Sequence, residues 1–89
     1  MKNTQKYTQG PWHATNYHVQ SLVHEYDGYI CKAEGNTKAE AEANAQLIAA
    51  APDLLQVTKD FLLLAALHDW EGAAIDFAKA TLAKAEGVK

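Results

Sequence analysis

With 89 residues and a formal net charge of −3, the chain has room for one domain with a modest core, because so short a chain buries only about 60–65 % of its unfolded surface. Eight lysines, no arginine and eleven acidic residues leave it without the clustered cations that phosphate backbones require, which argues against nucleic acid as the main ligand. No apolar run approaches the roughly 20 residues of a membrane span, the opening Met1-Lys2-Asn3-Thr4-Gln5 has no apolar signal region, and the single Cys31 excludes an internal disulfide, so the expected setting is a reducing cytoplasm.

Residues 1–10 are polar apart from Tyr7 and are expected to form a flexible tail, with a single domain over residues 11–89. Gly10-Pro11 opens a segment of strand character, Trp12 to Thr15, followed by a second from Tyr17 to Glu25. Asp27-Gly28 is a two-residue hairpin signal, since both central positions of a type I′ turn need positive φ. A turn there sets Tyr26 opposite Tyr29, His24 opposite Cys31 and Leu22 opposite Ala33, all on one face of the ribbon.

Gly35-Asn36 ends the strand, and Thr37 with Glu40 matches a capping box. The helix that follows, from about Lys38 to Ala50, is alanine-rich, with Ala41, Ala45, Leu47 and Ile48 along one broad stripe. Pro52 stops it, because its ring disfavours helical geometry in the preceding residue, and suits the first turn of the next helix. Asp53 adds a carboxylate at the positive end of that second helix. The second helix runs to about Leu67, with Leu54, Thr58, Phe61, Leu62 and Ala65 as its buried face. Leu63 and Leu67 project to the other side. A third helix is predicted from about Ala73 to Ala85, with Ile75, Ala78, Leu82 and Ala85 as its stripe, Phe77 beside it, and Gly87 as terminator. Together these elements predict an α+β fold: a short antiparallel sheet of two to three strands packed against two to three helices.

Much of the apolar content is alanine, which brings little area to a core, whereas Phe61, Leu63, Leu67 and Trp70 form a surplus of apolar helix surface. Such a surplus is normally covered by a third helix or a second subunit. A homo-oligomer, or a partner protein seated on these four residues, is therefore expected.

The pattern Gly10-Pro11-Trp12, Asp27-Gly28, Glu42-Ala43-Asn44-Ala45 and Leu47 to Leu55, closing on Ala78 to Ala85, resembles a widespread group of short phage and prophage proteins. Their hallmark is a helix–break–helix run, Asn-Ala-x-Leu-Ile-Ala-Ala-Ala-Pro-x-Leu-Leu. Members are mostly without an assigned activity, so the resemblance transfers no catalytic residue. It implies a viral accessory protein acting in the bacterial cytoplasm, a class in which many members blunt host defence by binding a host protein or by soaking up a signal molecule.

Four groups of side chains could carry chemistry. His24 opposite Cys31, near His13, His18 and Glu25, suggests zinc, but the paired close-spaced ligands of structural zinc sites are missing, and a packed imidazole beside a thiol accounts for the pair. The same two residues could act as base and nucleophile, without an orienting third group or an oxyanion hole. No catalytic residue, metal or cofactor is therefore assigned. Asn44, a poor helix former amid alanines, is expected either to tie down a neighbouring loop, at the Trp12 strand or the Asp27 turn, or to meet a ligand. Trp12, His13, Tyr17, Tyr26 and Tyr29, with Lys32 for phosphate, make the best candidate surface for a planar anionic ligand; the competing role of Trp12 and one tyrosine is core. The leading expectation is a non-enzymatic protein that neutralises a host defence component by protein contact. The second is a sponge for a signalling nucleotide, built on Trp12, His13, Tyr26, Tyr29, Lys32 and Asn44.

Overall fold

The computed structural model describes residues 7–22 and 28–87. Their order is β1 (Trp12–Thr15), β2 (His18–Ser21), β3 (Tyr29–Lys32), α1 (Lys38–Ala49), α2 (Ala51–Leu67) and α3 (Ala73–Ala85). This is the α+β class predicted, with one three-stranded antiparallel sheet in the order β1-β2-β3. The chain groups into two compact units, Met1–Asp53 and Leu54–Lys89, where the sequence predicts a single domain over residues 11–89.

In the first unit the register corrects the sequence. The tight turn lies at Asn16-Tyr17, with Thr15 paired to His18. Asn16 takes φ 56°, a left-handed conformation that asparagine tolerates better than most residues. β2 ends at Ser21, whose N–H donates to the Gly28 carbonyl at 2.6 Å. β3 then starts at Tyr29; Val23, His24, Glu25, Tyr26 and Asp27, and with them the Asp27-Gly28 turn, lie outside the described residues. Across the second pair Val19 stands opposite Cys31, the place assigned to His24, and His18 stands opposite Lys32. The Leu22 N–H donates to the Pro11 carbonyl at 2.8 Å, so Leu22 continues the β1 side rather than facing Ala33. A register shift between Val19 and Gln20 leaves Ile30 without a counterpart of its own.

Pleating then decides the faces. Val19, Ala33 and Ala45 are buried, and Trp12, Ala14, Ile30, Cys31, Ile48 and Ala49 pack against them. Alanines at positions 41 and 45 let α1 lie close on the sheet, and burying Val19 alone is worth roughly 1.5–2 kcal/mol. Leu47, predicted on the same stripe, is exposed instead; at one position past Gln46 it falls beyond the narrow face that two alanines define. The N-terminus of α1 carries the expected cap, with the Glu40 N–H donating to Thr37 Oγ1 at 3.1 Å. The Glu40 carboxylate accepts from the Asn36 N–H at 2.8 Å, one residue upstream of the usual box.

The segment ahead of β1 is tied down at its end. Trp12 Nε1 donates to the Thr8 carbonyl at 3.1 Å, and buried Ser21 donates through its hydroxyl to the Gln9 carbonyl at 2.7 Å. A Cβ on Gly10 would stand 2.8 Å from Pro52 Cβ, so this approach has room for glycine alone.

The second unit is the α2–α3 hairpin. On α2, Ala65 is buried and Leu55, Thr58, Lys59 and Leu62 are half-buried; on α3, Ile75 is buried and Ala78 and Leu82 are half-buried. These positions form one stripe on each helix, and Lys59 Nζ meets the Glu86 carboxylate at 2.8 Å, as antiparallel packing requires. Thr58, Leu62, Ala65, Ile75, Ala78 and Leu82 thus sit as predicted. Leu54 and Phe61 do not: both are exposed, because α3 covers the Leu55–Leu62 side and not the Leu54–Phe61 side. Phe77 and Ala85 are exposed too. The hairpin loop turns through Asp69 at φ 54°. The last turn closes at Gly87, whose φ of 75° suits glycine after a helix end.

Candidate functional site

Two surfaces gather the residues that could act, one in each unit. In the first unit, the face of the sheet away from the core holds His13, Gln20 and Tyr29 in one row across the three strands, by their pairing. Next to it Thr15, His18 and Lys32 form a second row. The rings of His18 and Tyr29 lie 6.0 Å apart, those of Tyr17 and His18 4.9 Å apart, and Lys32 Nζ stands 5.4 Å from the centre of the Tyr17 ring. A cation over a ring is attracted by its quadrupole, so this cluster holds Lys32 above the sheet.

Of the six residues proposed to line a ligand site, His13, Tyr29 and Lys32 thus share the outer face. Trp12 belongs to the opposite face, packed against the core with its N–H already bonded; strand alternation separates it from His13. Tyr26 lies outside the described residues. Asn44 donates through Nδ2 to the Glu34 carbonyl at 2.6 Å, so it anchors the loop between β3 and α1 rather than the Trp12 strand or the Asp27 turn. Lys32 and Asn44 nonetheless line one shallow groove of about 460 Å³, with Glu34, Leu47 and Ile48. A neighbouring groove of about 400 Å³ runs from Tyr17 and Lys32 to Thr37 and Lys38. Tyr17 joins this surface, as the sequence grouped it, whereas His18 was not singled out by the sequence as part of it. Recognising Asn16 as the turn residue is the signal that places His18 there.

Cys31 is free, half-buried and set against the core with Val19 across from it, and His24 lies outside the described residues. Among the described residues no three histidine, cysteine, aspartate or glutamate side chains gather as metal ligands, and no helix is long and apolar enough to cross a membrane.

The second unit presents the other surface. Leu63 and Leu67 are 62 % and 69 % exposed, as their position opposite the α3 contact predicts. Leu54, Val57, Phe61, Leu64, Trp70 and Phe77 are exposed as well. Phe61 and Trp70 pair at 6.3 Å between ring centres, and His68 stacks on Trp70 at 5.4 Å. All four residues proposed for a partner interface, Phe61, Leu63, Leu67 and Trp70, therefore lie on the surface of the hairpin. Leu54, Val57 and Leu64 extend it beyond what the sequence singled out; their spacing from Phe61, at seven, four and three residues, was the available signal.

The whole chain, residues 1–89, matches the family model described as Salmonella phage P22 protein Y8K6. No curated protein and no solved structure matches it.

Proposed function

The chain belongs to the Salmonella phage P22 protein Y8K6 family, and from that premise we propose that it is a phage accessory protein that acts without catalysis, by seizing a host protein. The class of target is a host defence component, which the contact blocks. One observation carries the reading: α2 is apolar on nearly every side, and α3 covers only the Leu55–Leu62–Ala65 side. A helix that is apolar all round is normally buried, and an exposed apolar patch of this kind marks an interaction surface. Completing the burial of each exposed leucine contributes roughly 1 kcal/mol to such a contact.

The test is phage growth on a host where loss of the gene impairs it. The triple variant Phe61→Ser, Leu63→Ser, Leu67→Ser should grow as poorly as the deletion, while circular dichroism shows its helices intact. Wild-type growth of that variant overturns the reading.

A second reading rests on the outer sheet face, where Tyr17, His18 and Tyr29 bring three rings together beside Lys32. Rings stack on nucleobases and a lysine meets phosphate, as a sponge for a signalling nucleotide needs. A thermal-shift screen with cyclic dinucleotides and ADP-ribose derivatives separates the two. A rise of several degrees that Tyr29→Ala and Lys32→Ala remove favours the sponge, and no rise leaves protein contact alone.

A further inference from the structure

We infer that the stripe Leu54, Val57, Phe61 and Leu64, extended by Trp70, receives one basic amphipathic α-helix of the partner protein. This rests on the protein-contact reading and names the kind of partner. The four α2 residues recur at steps of three and four, the period at which one helix face meets another. All four are exposed. From Leu54 to Leu64 the stripe is about 15 Å long, at 1.5 Å per residue, enough for about three turns of a facing helix. Helix-in-groove recognition reads such anchors at i, i+3, i+4 and i+7.

The charges around the stripe choose the occupant. Asp60 follows Val57 by three residues and precedes Leu64 by four, so it sits at the edge of the stripe, exposed and accepting from Gln56 Nε2 at 2.9 Å. Asp69 and Glu71 flank Trp70 at the far end and are exposed. The lysine of α2, Lys59, points toward α3 and is bridged to Glu86. An acidic rim beside an apolar stripe suits a helix with lysine or arginine flanking its own apolar residues. It disfavours a second copy of this chain. In an antiparallel pairing the two Asp60 carboxylates, near the middle of the stripe, face one another; in a parallel pairing the two Asp69–Glu71 loops meet. Like charges across an interface suppress the wrong partner.

The experiment uses the full chain and two synthetic helical peptides of about three heptads with the same leucine stripe, one flanked by lysines and the other by glutamates. Fluorescence anisotropy should show the lysine peptide binding at least about tenfold tighter. Asp60→Lys should reverse that preference, and Val57→Asp should abolish binding; both positions are exposed, and circular dichroism confirms the fold. Equal binding of both peptides, or of neither, overturns the inference. So does a dimer in light scattering that Val57→Asp dissolves, which makes a second copy the occupant. If the peptide arm fails but the triple serine variant still impairs phage growth, the protein-contact reading stands and only the basic helix falls. If that variant grows normally, both fall.

Discussion

The two units of this chain solve the problem of a small core in opposite ways. The first hides small residues: Val19, Ala33 and Ala45 close a core that Trp12 and Ile48 rim, and backbone and side-chain bonds fasten the segment before β1. The second displays large ones. Only Ala65 and Ile75 are buried there, while leucines, phenylalanines and Trp70 stay exposed. The contrast separates a unit that closes a core of small residues from one that leaves most of its large apolar side chains exposed.

Substitutions in the two units should therefore read out differently, and the largest effect belongs to the first. Ala45→Leu adds bulk where no accessible surface remains and should lower unfolding free energy by about 3 kcal/mol in urea titration. Gly10→Ala places a Cβ against Pro52 and should destabilise by about 1–2 kcal/mol, seen as a fall in the thermal midpoint. Thr37→Ala removes the α1 cap, with a cost of about 1 kcal/mol by the same measurement. In the second unit, Lys59→Met breaks an ion pair whose side chains are more than a third and about a third exposed, so solvent screening holds the loss to about 0.5 kcal/mol or less. Smallest of all, Leu63→Ser with Leu67→Ser should shift the thermal midpoint scarcely at all, within about 0.5 kcal/mol for each surface change. A large loss of stability in that last pair would show the leucines to be structural and would erase the contrast.

The helix ends were legible because each has a local chemical cause: Thr37 and Glu40 at the start of α1, Pro52 in the first turn of α2, Gly87 after α3. The hairpin was not. Asn16 takes the left-handed position between β1 and β2, and the register of β2 on β3 sets Val19, not His24, opposite Cys31, which changes the partners read across that pair. Trp12 was grouped with His13, its neighbour in sequence, although strand alternation puts the two on opposite faces. In α2 the period of the apolar residues was clear and the buried side was not. When leucines stand all around a helix, periodicity alone cannot say which pair of stripes the next helix covers, and Leu54 and Phe61 were exchanged for Leu55. The exposure of Leu63 and Leu67 was legible, since they oppose Leu62 and Ala65 in any register. Asn44 was legible as a loop anchor, but its acceptor, the Glu34 carbonyl, depended on how closely two alanines let α1 approach the sheet.

The near-contact between Gly10 and Pro52 latches the approach to β1 onto the last residues of the first unit, which ends at Asp53. A latch made inside the module lets the chain after Asp53 change sequence without loosening the strands before it, as long as Pro52 keeps its place against Gly10.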